Sequence, residues 1–349
     1  METAIIGLPL AGKSTFFTAL TGSSASASAG GRGKSVGVAD VGVPDHRVEQ
    51  LTSLFRPKKK SLAMVRFKDV QADFSPSGAM SAATIAELRS ADAITLVVRA
   101  FENEAVPHPL QTVDPLRDFN RLLEALQFSD FEVAERRTER LDKEGRRSER
   151  EYQRLLRIRE RLEQGQLLSS DFLSAEDERM FAGFGFLTAK PIIVVANTGE
   201  RASATGALQE AVMRHGLVLF HIQGEAEMEI AQLSAEDQAE FLTDLGIDEP
   251  VKDRFLRTVY AQLNLISFLT AGEDEVRAWS IRRDTPAVQA AGRIHSDLER
   301  GFIRAEVVEW DRLLALGGFK EAKQSGVMRL EGKDYPVKDG DVLTIRFNV

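Results

Sequence analysis

Cysteine is absent from all 349 residues. A disulfide framework, a thiol nucleophile and a cysteine-ligated metal are therefore excluded, and a reducing compartment, the cytoplasm, is the expected setting. No apolar run approaches the roughly 20 residues that span a bilayer, and the N-terminus lacks a basic segment followed by an apolar one. Neither a membrane span nor a secretory leader is expected. Positive charge is also in deficit: 45 Lys and Arg face 53 Asp and Glu, a net charge of -8. That balance speaks against blanket electrostatic binding of nucleic acid while permitting a local basic patch, and no DNA contact is expected. The five histidines, His46, His108, His215, His221 and His295, show no pair at metal-ligand spacing, and Gly-x-Ser-x-Gly does not occur.

What is present is an alternation of short apolar runs with helical segments. Thr3 to Ile6, Ala93 to Val98, Pro191 to Ala196 and Leu217 to Ile222 read as buried strands. Ser14 to Leu20 and Ser81 to Arg89 read as helices between them, so an α/β nucleotide domain with a mainly parallel sheet is expected, its ligands at the strand ends. Val36 to Val43 and Leu62 to Asp69 suit an antiparallel pair at one sheet edge. Ser23 to Gly33 reads as a mobile loop. From about Phe128 to Leu168 dense mixed charge with sparse apolar positions predicts two paired helices, with Gly145 as an interruption or the turn; a single solvated helix is the alternative. The β-rich, Gly-punctuated C-terminal stretch predicts a small α+β domain. The expected division is 1–127 and 181–265 for the nucleotide domain, 128–180 for a helical insertion, and 266–349 for the last domain.

The chemistry is carried by Gly7-Leu-Pro-Leu-Ala-Gly12-Lys13-Ser14, the GxxxxGKS phosphate loop, with Thr15 next in line. Glycines admit the backbone to within hydrogen-bonding reach of phosphate, and the following helix presents its N-terminus to the anion. Gly7, Leu8, Pro9, Leu10, Ala11 and Gly12 form the cradle, Lys13 reaches the β/γ-phosphates, and Ser14 reaches Mg²⁺. Asp69, ending a strand, suits the second Mg²⁺ ligand, although a strand-end Asp also serves simply as a turn residue. Where guanine readers carry Asn-Lys-x-Asp, this chain has Asn197-Thr-Gly-Glu200. The lysine is missing and Glu is longer by a methylene, so an adenine nucleotide is favoured over a guanine one.

These residues, with Val43-Pro-Asp-x-Arg47, Asp114-Pro-Leu-Arg-Asp118, Leu187-Thr-Ala-Lys-Pro191, Gln289-Ala-Ala-Gly-x-Ile-His-Ser-Asp297 and Asp339-Gly-Asp341, make the chain resemble the YchF-type Obg-like ATPase family over nearly its whole length. The resemblance implies ATP as ligand, an inserted coiled-coil hairpin, and a C-terminal TGS domain of β-grasp type. It also implies the ribosome or another RNA assembly as partner, which Arg277, Arg282, Arg283, Arg293 and Arg304 could contact through phosphates. It places Gln223 and Gly224 near the base and makes His108 a candidate for orienting water, with an exposed loop histidine as the alternative. The chain departs from the family where Ala72 replaces a glycine after Asp69, where Ser23 to Lys34 replaces a threonine-containing segment, and where Gln223-Gly224 stands for Ser-Ala. A slow ATPase switch is the leading expectation. A non-hydrolysing nucleotide-dependent binding module and a GTPase are the alternatives.

Overall fold

The computed structural model describes residues 1–22, 37–75, 78–169, 172–199, 205–244 and 249–348. Ser23 to Gly33, expected as a mobile loop, the altered segment that runs on to Lys34, and Glu200 lie outside the described residues. The strands are, in chain order, β1 (Glu2–Gly7), β2 (Gly37–Gly42), β3 (Lys59–Ser61), β4 (Met64–Asp69), β5 (Ala93–Ala100), β6 (Ile192–Thr198), β7 (Val218–Gln223), β8 (Leu265–Thr270), β9 (Glu275–Arg282), β10 (Phe302–Glu309), β11 (Arg329–Glu331) and β12 (Asp341–Phe347). Contacts divide the chain into two compact units, Met1–Asp40 with Arg66–Phe255, and Val41–Val65 with Leu256–Val349.

The sheet of the first unit has the order β2-β4-β1-β5-β6-β7. β1 pairs in parallel with β4 and β5, β5 with β6, and β6 with β7. β2 lies beside β4 at the edge, where Asp40 meets Arg66 and Val43 N–H donates to the Ala63 carbonyl; partners that count in opposite directions make this pair antiparallel, as expected. All eight residues of β5 are buried, the continuous apolar run of a strand covered on both faces. Because the inner strands are parallel, the segments after β1, β4, β5, β6 and β7 emerge at one sheet edge, where an open α/β sheet binds ligand.

The helix after β5, Pro115–Lys143, starts well before the expected insertion at 128. Asp114 caps it through Arg117 N–H and Pro115 stands at its first position, so its N-terminus is well specified. Phe119, Leu122, Leu123 and Leu126 belong to the core of the sheet, whereas Ala134 and Leu141 pack with Leu155, Ile158 and Leu162 of the helix Arg150–Glu163. The paired helices are thus present, Gly145 turns the chain between them at φ 73°, and the pair grows from a helix that first serves the sheet.

In the second unit the sheet order is β11-β10-β12-β8-β9-β3. One face is covered by the helix Ala287–Ile294, through Ala287, Ala290 and Ala291. The other is covered by Val48 and Leu51 of the helix His46–Phe55 together with Leu313 and Ala322. This corrects two expectations: the unit begins at 256 rather than 266, and residues 41–65, assigned to the nucleotide domain, belong to it. Their physical reason for being there is β3, which pairs with β9, and Val48 and Leu51, which are fully buried in that unit's core. Among the described residues no helix is long and apolar enough to cross a membrane.

Candidate functional site

β1 ends at Gly7, and the chain reaches the helix Lys13–Thr21 through a loop that only glycine permits at two points. A β-carbon at Gly7 would stand 2.3 Å from the Val97 carbonyl oxygen, and Gly12 has φ 87°. Leu10 also holds a positive φ, 63°, with its side chain half in solvent. No side chain caps the helix Lys13–Thr21, so its first N–H groups are left for an anion. Lys13 Nζ donates to the carbonyls of Gly7 at 3.1 Å and Leu8 at 3.3 Å, folding the amine back over the loop. Burial pulls its pKa down from the ordinary lysine value, and Asp69 opposes that shift.

Asp69 closes β4 and is brought beside the loop by the parallel pairing of β4 with β1. Ser14 Oγ donates to Asp69 Oδ2 at 3.2 Å. The other carboxylate oxygen, Oδ1, is buried with no hydrogen-bond partner. Desolvation raises the Asp69 pKa, opposed by Lys13 and by the Ser14 hydrogen bond. A half-buried amine and a buried carboxylate, each under-compensated, mark a place where polyphosphate and a cation would each find an opposite charge.

The far side of the loop is set by Asn197 at the end of β6. Its Nδ2 donates to the Ala11 carbonyl at 3.1 Å, and its Oδ1 accepts from Gly224 N–H at 3.1 Å. The fit leaves no room for a side chain: a β-carbon at Gly12 would sit 2.0 Å from Nδ2, and one at Gly224 2.4 Å from Oδ1. Asn197 therefore joins the loop after β1 to the turn after β7. Gln223, exposed at the end of β7, leads directly into Gly224. Thr198, standing where guanine readers carry lysine, donates its hydroxyl to the Ile222 carbonyl at 2.7 Å.

Known proteins match the chain along nearly their whole length. The chain is 36% identical to the Ribosome-binding ATPase YchF of Haemophilus influenzae, over 100% of this chain and 99% of that protein. Identity is again 36% with the protein of that name from Bacillus subtilis, over 100% of both. The chain belongs to the YchF family. Residues 265–348 match the family model YchF-GTPase_C, described as a protein of unknown function (DUF933). Obg-like ATPase 1 of Oryza sativa is a more distant relative at 33%, covering 100% of this chain and 92% of that one. The solved structure of the Schizosaccharomyces pombe YchF GTPase superposes with a TM-score of 0.86 at 28% identity, over 99% of this chain and 97% of that one.

Against that family background, some expected site residues are drawn together and some are not. Lys13, Ser14, Asp69, Asn197 and Gly224 converge through the contacts above. His108 is engaged elsewhere: its ring is buried, Nδ1 accepts from Leu110 N–H at 3.0 Å, and Nε2 lies 2.7 Å from Asp118 Oδ2. With Nδ1 accepting, Nε2 carries the proton and donates it, so both ring nitrogens are occupied. In this structure His108 braces its loop to the first turn of the helix Pro115–Lys143, and its burial corrects the alternative of an exposed loop histidine. Ala72 packs against the core of the sheet beside Phe74. Of the expected basic patch, Arg277 stacks on Trp279 at 4.0 Å and Arg283 donates to Asn264. Sequence reasoning gave no role to Phe101, whose ring lies beside Gly12, although it ends the motif Ser90-Ala-Asp-Ala-Ile-x-x-Val-Val-Arg-x-Phe101.

Proposed function

We propose that this YchF-family protein binds ATP with Mg²⁺ in the Gly7–Ser14 loop and hydrolyses it slowly, as a switch that acts on the ribosome. The observation that carries the reading is the union of Lys13, Ser14 and the half-partnered Asp69 around an uncapped helix N-terminus. Asp69 Oδ1 and Ser14 Oγ fit a divalent ion, whose charge would neutralise that developing on the phosphates. Among the described residues no group of three or more His, Asp or Glu side chains gathers to hold a metal, so the ion would rest on Ser14, Asp69 and the phosphates themselves. Adenine is favoured because Asn197 is retained while the lysine that follows it in guanine readers is Thr198, turned to the Ile222 carbonyl. The ribosome enters from the relatives, which are named ribosome-binding ATPases, and the paired helices and the C-terminal unit are the elements proposed to meet it.

ATP turnover by the purified protein, with Lys13→Ala as control, tests the enzyme. Turnover above that of Lys13→Ala is expected; turnover indistinguishable from it sinks hydrolysis. One observation favours a second reading, a nucleotide-dependent binding module without turnover: His108 has no free ring nitrogen to offer a water. A third reading, a GTPase, is tested by competing GTP against ATP, which should win. Co-sedimentation with ribosomes in the presence and absence of ATP tests the partner.

A further inference from the structure

The helix Gly206–Arg214 follows β6 and packs on the first half of the helix Pro115–Lys143, and a cavity of about 440 Å³ opens between their ends, large enough for a small molecule. Its floor is apolar: Leu123 and Ala211 are each 3% exposed. Glu124 and Arg214 stand exposed on its walls, and His215 is half-buried there with its ring 6.1 Å from that of Phe119. Burial, helped by Arg214, lowers the His215 pKa, so the ring adds no charge at neutral pH. Gln127 completes the lining. It is 8% exposed, and its Nε2 is buried with no hydrogen-bond partner, which costs the free protein stability. Neither amide atom bonds to another described residue, so the side chain can turn toward a ligand oxygen without breaking a bond within the protein.

The charged ends of Glu124 and Arg214 likewise have no partner among the described residues: they line one cavity and do not meet. Opposite charges that share a cavity without neutralising each other suit a ligand that bears both. We propose that this cavity is a second ligand site, for a small zwitterion of the α-amino-acid type with an apolar side chain. The ligand's carboxylate meets Arg214 and the Gln127 amide, its ammonium meets Glu124, and its side chain covers Leu123 and Ala211. The site is distinct from the phosphate loop. Both helices run back from the sheet edge that carries that loop, and Gln127 lies roughly 18 Å along its helix from Pro115. The proposal therefore stands whether or not the nucleotide reading does.

Equilibrium dialysis of the full chain against L-leucine tests it, with N-acetyl-L-leucine and L-leucinamide as probes that each lack one of the two charges. Saturable binding of L-leucine is expected, with each of the other two about tenfold weaker or worse. Arg214→Ala and Glu124→Ala, both at exposed positions, should each weaken L-leucine about tenfold without moving the denaturation midpoint. Gln127→Leu should weaken it as much and leave the midpoint level or raised, because it removes an unpaired buried amide rather than a bond. Absence of saturable L-leucine binding would overturn the proposal. So would N-acetyl-L-leucine or L-leucinamide binding as tightly as L-leucine, which would assign the cavity to a peptide end, and so would wild-type affinity in the Arg214→Ala or Gln127→Leu variant.

Discussion

Both polar atoms of the Asn197 amide are taken by backbone groups, so the side chain acts first as a clamp between Ala11 and Gly224. Asn197→Ala would leave a buried carbonyl and a buried N–H unpaired, at about 1–3 kcal/mol for each group left bare. A lower urea midpoint together with weaker ATP binding is expected, and an unchanged midpoint would refute the clamp. Gly12→Ala attacks the same contact from the other side: a β-carbon 2.0 Å from the Asn197 amide, at φ 87°, must displace the loop. ATP binding should be lost, as calorimetry would show. Asp130 supplies a pH test. It accepts from Leu187 N–H, Thr188 N–H and the Thr188 hydroxyl, and burial pushes its pKa up to about 6 from 3.8. Between those values the folded chain holds a proton that the unfolded chain releases, so this group's stabilisation is full below about pH 4 and is lost as pH rises through about 6, some ~3 kcal/mol for a two-unit shift. Asp130→Asn should flatten that fall, measured as denaturation midpoints across the window; an unaltered slope refutes it. At this scale the loop from Gly7 to Ser14, between strand and helix, was legible, because one short run of sequence specifies it. The clamp was not, because Asn197 and Ala11 stand 186 positions apart and no local pattern reports their meeting. The bracing of His108 was hidden for a related reason, since its partner Asp118 lies on the next helix.

The helix Pro115–Lys143 serves two cores in succession, which explains why its start was misplaced. Its first half reads as an ordinary amphipathic helix on a sheet, and mixed charge becomes dense only beyond Phe128, where the partner is another helix rather than the sheet. The composition shift therefore marks a change of partner within one element. Asp130, fixed to the turn before β6, stands at that change. Outward of it the helix pair depends on Ala134, Leu141, Leu155 and Ile158, all fully buried. The Arg137–Glu151 bidentate pair is partly exposed and contributes less than this apolar seam. Ile158→Ala should cost about 2–4 kcal/mol and loosen the pair, read as faster amide exchange over 134–162, while ATP affinity stays within twofold. A large change in ATP affinity would mean that the pair and the phosphate loop are not separable elements.

The two units exchange chain at three places, and the consequence for the second unit is severe. Residues 41–65 leave the first unit between the segment after the phosphate-loop helix and the strand that carries Asp69, and in the second unit they supply both an edge strand and a covering helix. Arg47 holds that helix in place, donating to Asp45 at 2.8 Å and to Asp339 Oδ2 at 2.9 Å, while Asp339 Oδ1 accepts from Ser267 N–H. The motifs Val43-Pro-Asp-x-Arg47 and Asp339-Gly-Asp341 are thus two halves of one contact. Strand patterns along a chain report which residues are extended, and they are silent on which sheet receives them, so this exchange was invisible in the sequence. A fragment of residues 256–349 would lack β3, Val48 and Leu51 and would bare Leu269, Val276, Ala278 and Val342, all buried in the whole unit. Exposed apolar patches of that kind favour association. That fragment should aggregate or bind a hydrophobic dye, and linking residues 41–65 to it should restore a cooperative thermal transition. Cooperative unfolding of 256–349 alone would show that the borrowed segment is dispensable. The Arg47→Ala variant of the full chain should lower the midpoint of the second unit's transition, since the helix cap at Asp45 and the exposed Asp339 each lose a charged donor.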